Sequence, residues 1–288
     1  MVSEKEVEGL ILAVLEGMYN SLGESEKLVA DYVIKRPDDV IHYSITEFSM
    51  HCKASEATIY RLCRRIGFDG YQQFKITLAR ELTLPSREFT SLEEVKDFPG
   101  FVNAMFDENI RILKDTRQLL DVEKLQKSVE LILNAKRLLF FGVGRSASIA
   151  KDGSLRFAIL GFHTASYSDP HAQVMVGAGL TKFDVVIGIS HSGSIRDIIK
   201  SMEIARDTGA KTIAITAGIN SPITKVADIV LYCAAGIERL GNFFNNRVGE
   251  FAIMNVLYRS VLLQMEEKIN PHLDNLYSNI LKPKRFEK

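Results

Sequence analysis

From the first residue to about residue 84, apolar positions recur at helical spacing and nowhere alternate as strand residues do. In SLGESEKLVADYVIKRP, residues 21–37, Leu28, Val29, Tyr32 and Val33 form an apolar stripe, with Ser21 and Glu24 as a capping box and Pro37 as a stop. Ser44 and Glu47 repeat the box ahead of ITEFSMHC. Helical patterns at roughly 101–119 and 121–134 then lead into a different grammar. Short apolar runs at 137–144, 162–167, 184–190, 211–216 and 228–233 alternate with amphipathic stretches, such as the one carrying Ile195, Ile198, Ile199, Met202 and Ala205. Ser221 and Pro222 offer an N-cap and a first-turn proline. Strand and helix in alternation predict a parallel sheet covered on both faces, the doubly wound α/β arrangement. Leu84-Pro85-Ser86-Arg87 and Asp97-Phe98-Pro99-Gly100 bracket a polar stretch that reads as a linker. The expected division is an all-α domain over 1–84, a linker over 85–108 and an α/β domain over 109–288.

Composition narrows the function classes. The 288 residues suffice for two domains, and 36 basic against 36 acidic side chains leave no global charge to argue for a polyanionic or membrane partner. No apolar run approaches the roughly 20 residues that span a bilayer, and the acidic N-terminus does not read as a signal peptide. Three cysteines, Cys52, Cys63 and Cys233, are odd in number and lack close metal-ligand spacing. A cytoplasmic protein without a metal or membrane contact is the expectation.

The densest candidate chemistry is ISHSGS, residues 189–194, where an apolar run stops and a helical pattern starts. In an open parallel sheet, ligands bind outside the carboxyl ends of strands, where the next helix directs its free N–H groups and positive dipole end. Ser190, Ser192 and Ser194 supply hydroxyls there, and Gly193 lets the backbone come close, an arrangement suited to phosphate. No GxxxxGK[ST] occurs, so the phosphate is expected as a handle on the ligand rather than as a triphosphate to be cleaved. A plain capped turn is the alternative. A second loop, Gly142-Val143-Gly144-Arg145-Ser146-Ala147, follows the first apolar run. Its spacing also fits the dinucleotide fingerprint G-x-G-x-x-A, which keeps an NAD-dependent enzyme open, although Asp169 lies beyond the usual position of the ribose-binding acid.

GVGRS followed by DVVIGISHSGSIRDIIKSMEIARDTGAKTIAIT resembles the sugar isomerase (SIS) domain, over roughly residues 109–270. The resemblance implies a flavodoxin-like doubly wound fold in which Ser146, Ser190, Ser192 and Ser194 surround a sugar phosphate, with Gly144 in the same loop and Glu250 near the sugar.

Residues 45–65, ITEFSMHCKASEATIYRLCRR, fit helix-turn-helix spacing. Phe48, Cys52, Ile59 and Leu62 supply the contacts between the helices, and Lys53 stands where the turn usually has glycine. Ser55 caps the second helix, which places Glu56, Ala57, Thr58, Tyr60, Arg61 and Arg64 on or near its outer surface. Charge agrees locally: residues 51–80 hold six basic side chains, Lys75 among them, and two acidic ones, while residues 1–50 hold four and ten. SEATIYRLCRRIGFDGYQQFK in particular resembles the N-terminal domain of RpiR-type bacterial transcription regulators, which join it to a SIS domain in the order seen here. The resemblance implies a homodimer or homotetramer that binds a double-stranded DNA operator through Lys53, Ser55, Glu56, Thr58, Tyr60, Arg61, Arg64 and Lys75, and that responds to a phosphosugar without a cofactor. An isomerase would need a base, for which Glu238, Glu250, His171 and His191 are candidates, Glu250 foremost. Sensing is the expected role and catalysis the alternative.

Overall fold

The computed structural model describes residues 11–82, 97–236, 246–276 and 278. It divides into two compact units, one made of residues 1–120 with 217–221 and 232–249, the other of 121–216 with 222–231 and 250–288.

The first unit is helical. Helix α1 (Ile11–Met18) buries Ile11, Leu12, Ala13, Val14, Leu15 and Met18, and its first N–H groups need a partner that the helix cannot give. Ile11 and Leu12 N–H donate to the fully buried carboxylate of Glu81, at 2.6 and 3.4 Å, so a negative charge sits at the positive end of the helix dipole. Helix α2 (Glu24–Lys35) begins later than the expected capping box. A 3-10 turn over Tyr19–Ser21 takes the Ser21 hydroxyl, which donates to Met18 O, and the helix is capped at Gly23 with Glu26 reaching back to its N–H. After a single helical turn α3 (Pro37–Val40), helix α4 (Ile45–Cys52) carries the Ser44–Glu47 box as expected, with reciprocal bonds of 2.7 and 3.2 Å. Helices α5 (Glu56–Arg65) and α6 (Tyr71–Leu82) close the core around Phe48, Ile59, Leu62, Phe74 and Leu78.

Helix α7 (Phe98–Leu119) starts inside the stretch expected as a linker. Asp97 accepts from Gly100 N–H at 2.8 Å and Pro99 occupies the first turn, where its missing N–H costs nothing, so this Pro-Gly pair opens a helix instead of closing a loop. The remainder of that linker, 85–96, lies outside the described residues.

In the second unit, helix α8 (Val122–Leu133) precedes strand β1 (Arg137–Gly142), helix α9 (Ser146–Ile159), strand β2 (Thr164–Tyr167) and helix α10 (Pro170–Gly177). Strand β3 (Asp184–Ile189), helix α11 (Arg196–Asp207), strand β4 (Lys211–Thr216), a 3-10 turn (Pro222–Lys225), strand β5 (Ile229–Tyr232) and helix α12 (Val248–Leu276) follow. The Ser221–Pro222 signal thus opens one short turn and no longer helix. Sheet order is β2-β1-β3-β4-β5, with β1 parallel to both β2 and β3 and β3 parallel to β4. This is the flavodoxin-like order, and its direction reverses between β1 and β3. Every residue of β3 is buried, which is why its sequence is a continuous apolar run rather than an alternating one.

At the opposite end from that switch point, Asp184 fastens the start of the central strand. Its carboxylate, 1% exposed, accepts from Arg137 Nε and Nη2 at 2.9 and 2.6 Å and from Thr181 N–H and Oγ1 at 2.7 and 2.9 Å. The Arg137 bonds, more than the burial opposing them, hold this carboxyl below the usual carboxylate range. The stabilisation is therefore complete above the unfolded-state value near pH 4 and is lost as pH falls through the lower folded value. Asp184→Ala should cost about 2–3 kcal/mol at neutral pH, read by denaturant titration, and the difference from wild type should shrink in acid.

Candidate functional site

The ISHSGS loop continues the sheet for one residue beyond β3, with Ser190 N–H donating to Ile215 O at 3.1 Å. It then turns through Gly193, whose φ of 61° is the left-handed conformation glycine adopts without strain. Thr216 Oγ1 donates to His191 O at 3.1 Å and Ile223 N–H to Gly193 O at 2.9 Å, so neighbouring segments hold the loop on two sides. Helix α11 has Ile195 at its N-cap and no side-chain cap bond, so the serines do not serve the capping role that would have explained them away. Ser192 and Ser194 bond one another, with Ser194 Oγ donating to Ser192 O at 3.1 Å. Ser190 is 3% exposed and its hydroxyl has no hydrogen-bond partner among the described residues.

The Gly142–Ala147 loop leaves the neighbouring strand end, because Gly142 stands opposite Ile189 in the register. Adjacent strands lie about 4.8 Å apart, so both loops open onto one crevice. Gly144 has φ 59°, and Ser146, the buried first residue of α9, follows an N-cap, Arg145, that makes no side-chain cap bond. Asp169, weighed as a ribose ligand, accepts from Ala172 N–H at 2.8 Å and caps α10. His171 is exposed, and Glu238 lies outside the described residues.

Glu250, expected near the sugar, and His191, considered only as a candidate base, meet: Glu250, at the start of α12, is fully buried and its Oε1 lies 2.6 Å from Nδ1 of His191, itself 6% exposed. His191 was not among the expected ligand residues, and its only sequence signal was its place between two of the serines. Gln173 gave no signal: buried on α10, its amide nitrogen donates to Tyr167 O at 2.8 Å and Gly142 O at 3.3 Å, tying the ends of β2 and β1 together.

In the helical unit, α4, a tight turn and α5 form the expected helix-turn-helix. Lys53 closes α4 at φ 55° and ψ 34°, a left-handed conformation costly for a residue with a Cβ. Ser55 accepts from Thr58 N–H at 3.2 Å as N-cap of α5. Thr58, expected on the outer surface, is only 4% exposed; its hydroxyl lies 2.9 Å from Ser55 Oγ and accepts from Arg61 Nη2 at 3.2 Å. At N3 the chain direction turns this position toward the cap, which a face assigned by spacing alone misses. Glu56 accepts from Thr46 Oγ1 at 2.7 Å and so ties α5 to α4. Lys75 donates to Tyr43 O at 3.1 Å and lies over the Tyr71 ring, and Arg64 pairs with Asp69 at 2.5 Å. Lys53, Tyr60 and Arg61 are the expected DNA-facing side chains that stand exposed without such ties to other elements.

Comparison with known proteins agrees with both halves. The profile of the helix-turn-helix domain of the rpiR family matches residues 9–85, and that of the SIS domain matches 131–260. An uncharacterized HTH-type transcriptional regulator of Haemophilus influenzae is 31% identical over 285 residues, spanning 97% of this chain and 99% of its own. The HTH-type transcriptional regulator HexR of Pseudomonas aeruginosa is 26% identical, spanning 96% and 97%. Among solved structures, the Vibrio vulnificus NanR protein complexed with ManNAc-6P has the same fold at TM-score 0.60 and 24% identity, over 96% of this chain and 100% of that one. The sugar isomerase domain of an RpiR transcription factor from Sphaerobacter thermophilus aligns at TM-score 0.55 and 26% identity, over 59% and 94%. With a helix-turn-helix ahead of a flavodoxin-like SIS domain, and full-length relatives built alike, the chain belongs to the RpiR family of HTH-type transcriptional regulators.

Proposed function

We propose that this regulator binds operator DNA through the exposed face of α5 and that a phosphosugar held at the β1/β3 crevice sets its affinity for that DNA, without turnover of the sugar. The observation that carries the effector site is the pair of Gly-Ser loops on adjacent strand ends, with a buried Ser190 hydroxyl that has no partner among the described residues. Phosphate, rich in acceptor oxygens, suits hydroxyls and free helix N–H groups. The ligand in the NanR structure, ManNAc-6P, belongs to this chemical class. Ser146, Ser190, Ser192 and Ser194 are the proposed phosphate contacts, with Gly144 giving backbone access. A homodimer or homotetramer is part of the reading, supported by outward apolar side chains along α7, where Phe98 and Phe106 are 76% and 66% exposed. None of the described helices is long and apolar enough to cross a membrane, and a cytoplasmic location goes with the proposal.

Thermal unfolding against hexose 6-phosphates, the matching free sugars and NAD tests the site. A ligand that binds only the folded state stabilises it by RT ln(1 + [L]/Kd), about 2.7 kcal/mol at one hundred times Kd. Stabilisation by a phosphosugar but not by its free sugar is expected; stabilisation by NAD alone would overturn the reading. Turnover of the stabilising compound, followed by NMR, would replace the sensor with an isomerase.

A further inference from the structure

Three buried side-chain atoms without a hydrogen-bond partner among the described residues fall at one place, the carboxyl edge of the sheet: Ser190 Oγ, His191 Nε2 and Gln173 Oε1. A hydroxyl both donates and accepts, so Ser190 alone says little about what it meets. The other two are more restrictive, because each belongs to a side chain whose other polar atom already has a partner.

Gln173 is settled by its two carbonyl partners. Tyr167 O and Gly142 O both require donors, which only the amide NH₂ can supply, so Oε1 is left as an acceptor. His191 Nδ1 lies 2.6 Å from Glu250 Oε1, and with Nδ1–H as donor to that oxygen Nε2 is left with a lone pair and no hydrogen. Both atoms belong to residues at least nine-tenths buried, where an acceptor without a donor is costly. Both stand at the carboxyl ends of adjacent strands. Gln173 bonds the last residue of β1, that residue stands opposite Ile189 on β3, and His191 follows two positions on.

We propose that Gln173 Oε1 and His191 Nε2 form a hydroxyl-accepting subsite beside the phosphate loops, and that Glu250 acts through His191 as a positioning residue. This rests on the phosphosugar reading above and deepens it: the oxygens of an ionised phosphate ester only accept and cannot satisfy either atom. The subsite calls for a phosphate ester with donor hydroxyls and disfavours methyl phosphate and acceptor-only acids. Selectivity then follows from leaving a buried polar group unmet, the strongest discrimination a site of this kind can make.

Calorimetric titration of the full chain with fructose 6-phosphate, glucose 6-phosphate, N-acetylmannosamine 6-phosphate, their deoxy analogues and methyl phosphate tests this, alongside side-chain ¹⁵N NMR of His191. In the wild type, Nδ1 should carry the proton, and the Nε2 resonance should move on adding a bound hexose phosphate but not methyl phosphate. In His191→Ala, affinity for that hexose phosphate should fall at least tenfold while affinity for methyl phosphate stays within twofold. Loss of the hydroxyl that His191 reads should then cost nothing further. Glu250→Gln, whose amide can donate to Nδ1 and move the proton to Nε2, should show the same split and a changed tautomer. An Nε2–H tautomer in the wild type, or equal loss of both ligand types in His191→Ala, would overturn the subsite while leaving the phosphate site standing. Failure of every phosphorylated compound to bind the wild type would remove the phosphate reading itself, and the subsite with it. Because the NMR arm uses the unaltered protein, a variant that folds poorly leaves the question decided.

Discussion

Gly142→Ala is expected to weaken binding of every phosphorylated ligand more than a hundredfold while the chain still unfolds cooperatively. A Cβ at that position would lie 2.7 Å from Ser146 O, 2.9 Å from the carbonyl carbon and 3.1 Å from Ala147 N. All three are backbone atoms of the first turn of α9, so no side chain can swing aside, and the turn carrying Ser146 must move. Overpacking of this kind costs about 1–3 kcal/mol of stability, a tolerable fraction for a chain this size. Binding suffers more, because hydroxyl and N–H donors that converge on one phosphate lose their mutual geometry together. Gly144→Ala makes the contrast: its Cβ would meet no protein atom within 4 Å, so it leaves the first turn of α9 in place and should lower affinity less than Gly142→Ala does, through strain at φ 59° and obstruction of the backbone approach alone. Calorimetric titration of the two variants side by side decides the matter, and equal affinities would place the phosphate away from the β1 loop.

That contrast could not be drawn from the sequence, where both residues are members of one G-x-G. What was legible there was anything enforced by local pattern. The five strands appear within about two residues of the apolar runs, because a strand buried on both faces admits little else and the adjacent helices mark its ends. The Ser44–Glu47 box, the Ser55 cap and the left-handed Lys53 turn were legible for the same reason, each being decided within four residues. Ser21 shows the limit of such reasoning: its hydroxyl was claimed by a 3-10 turn that competes locally for the same group, and the helix start moved on to Gly23. Pro99 is a similar case, since one residue type both ends loops and begins helices.

Of the site, the serine loops were legible as a motif, and their adjacency followed once the sheet order was known. The His191–Glu250 pair was not, since 59 residues separate its partners and neither flanking pattern refers to the other. Gln173 was invisible for a related reason. A buried glutamine on a short helix is meaningful only when the two carbonyls it joins are known.

The exposed face of α5 should separate DNA affinity from stability residue by residue. Arg61→Ala, together with Lys53→Ala, is expected to lower affinity about a hundredfold for the DNA fragment that the wild type selects from a random pool. The slope of log K against log salt should shrink by about 0.9 for each phosphate contact removed. Stability should hardly change, because among the described residues Arg61 bonds only the neighbouring Thr58 hydroxyl and Lys53 is exposed. Lys53→Gly sharpens the test: removing a Cβ from φ 55° should raise stability by about 1 kcal/mol while DNA affinity falls, so the two readouts move in opposite senses. Arg65→Ala should do the reverse of the Arg61 change. Its guanidinium donates to Glu26 at 2.7 Å and to Ser21 O at 2.8 Å, binding α5 to the segment before α2, so stability should fall with little effect on the salt slope. If Arg65→Ala weakens DNA binding as much as the Arg61 and Lys53 changes, the basic end of α5 meets the backbone of the duplex and the exposed face assigned here is the wrong one.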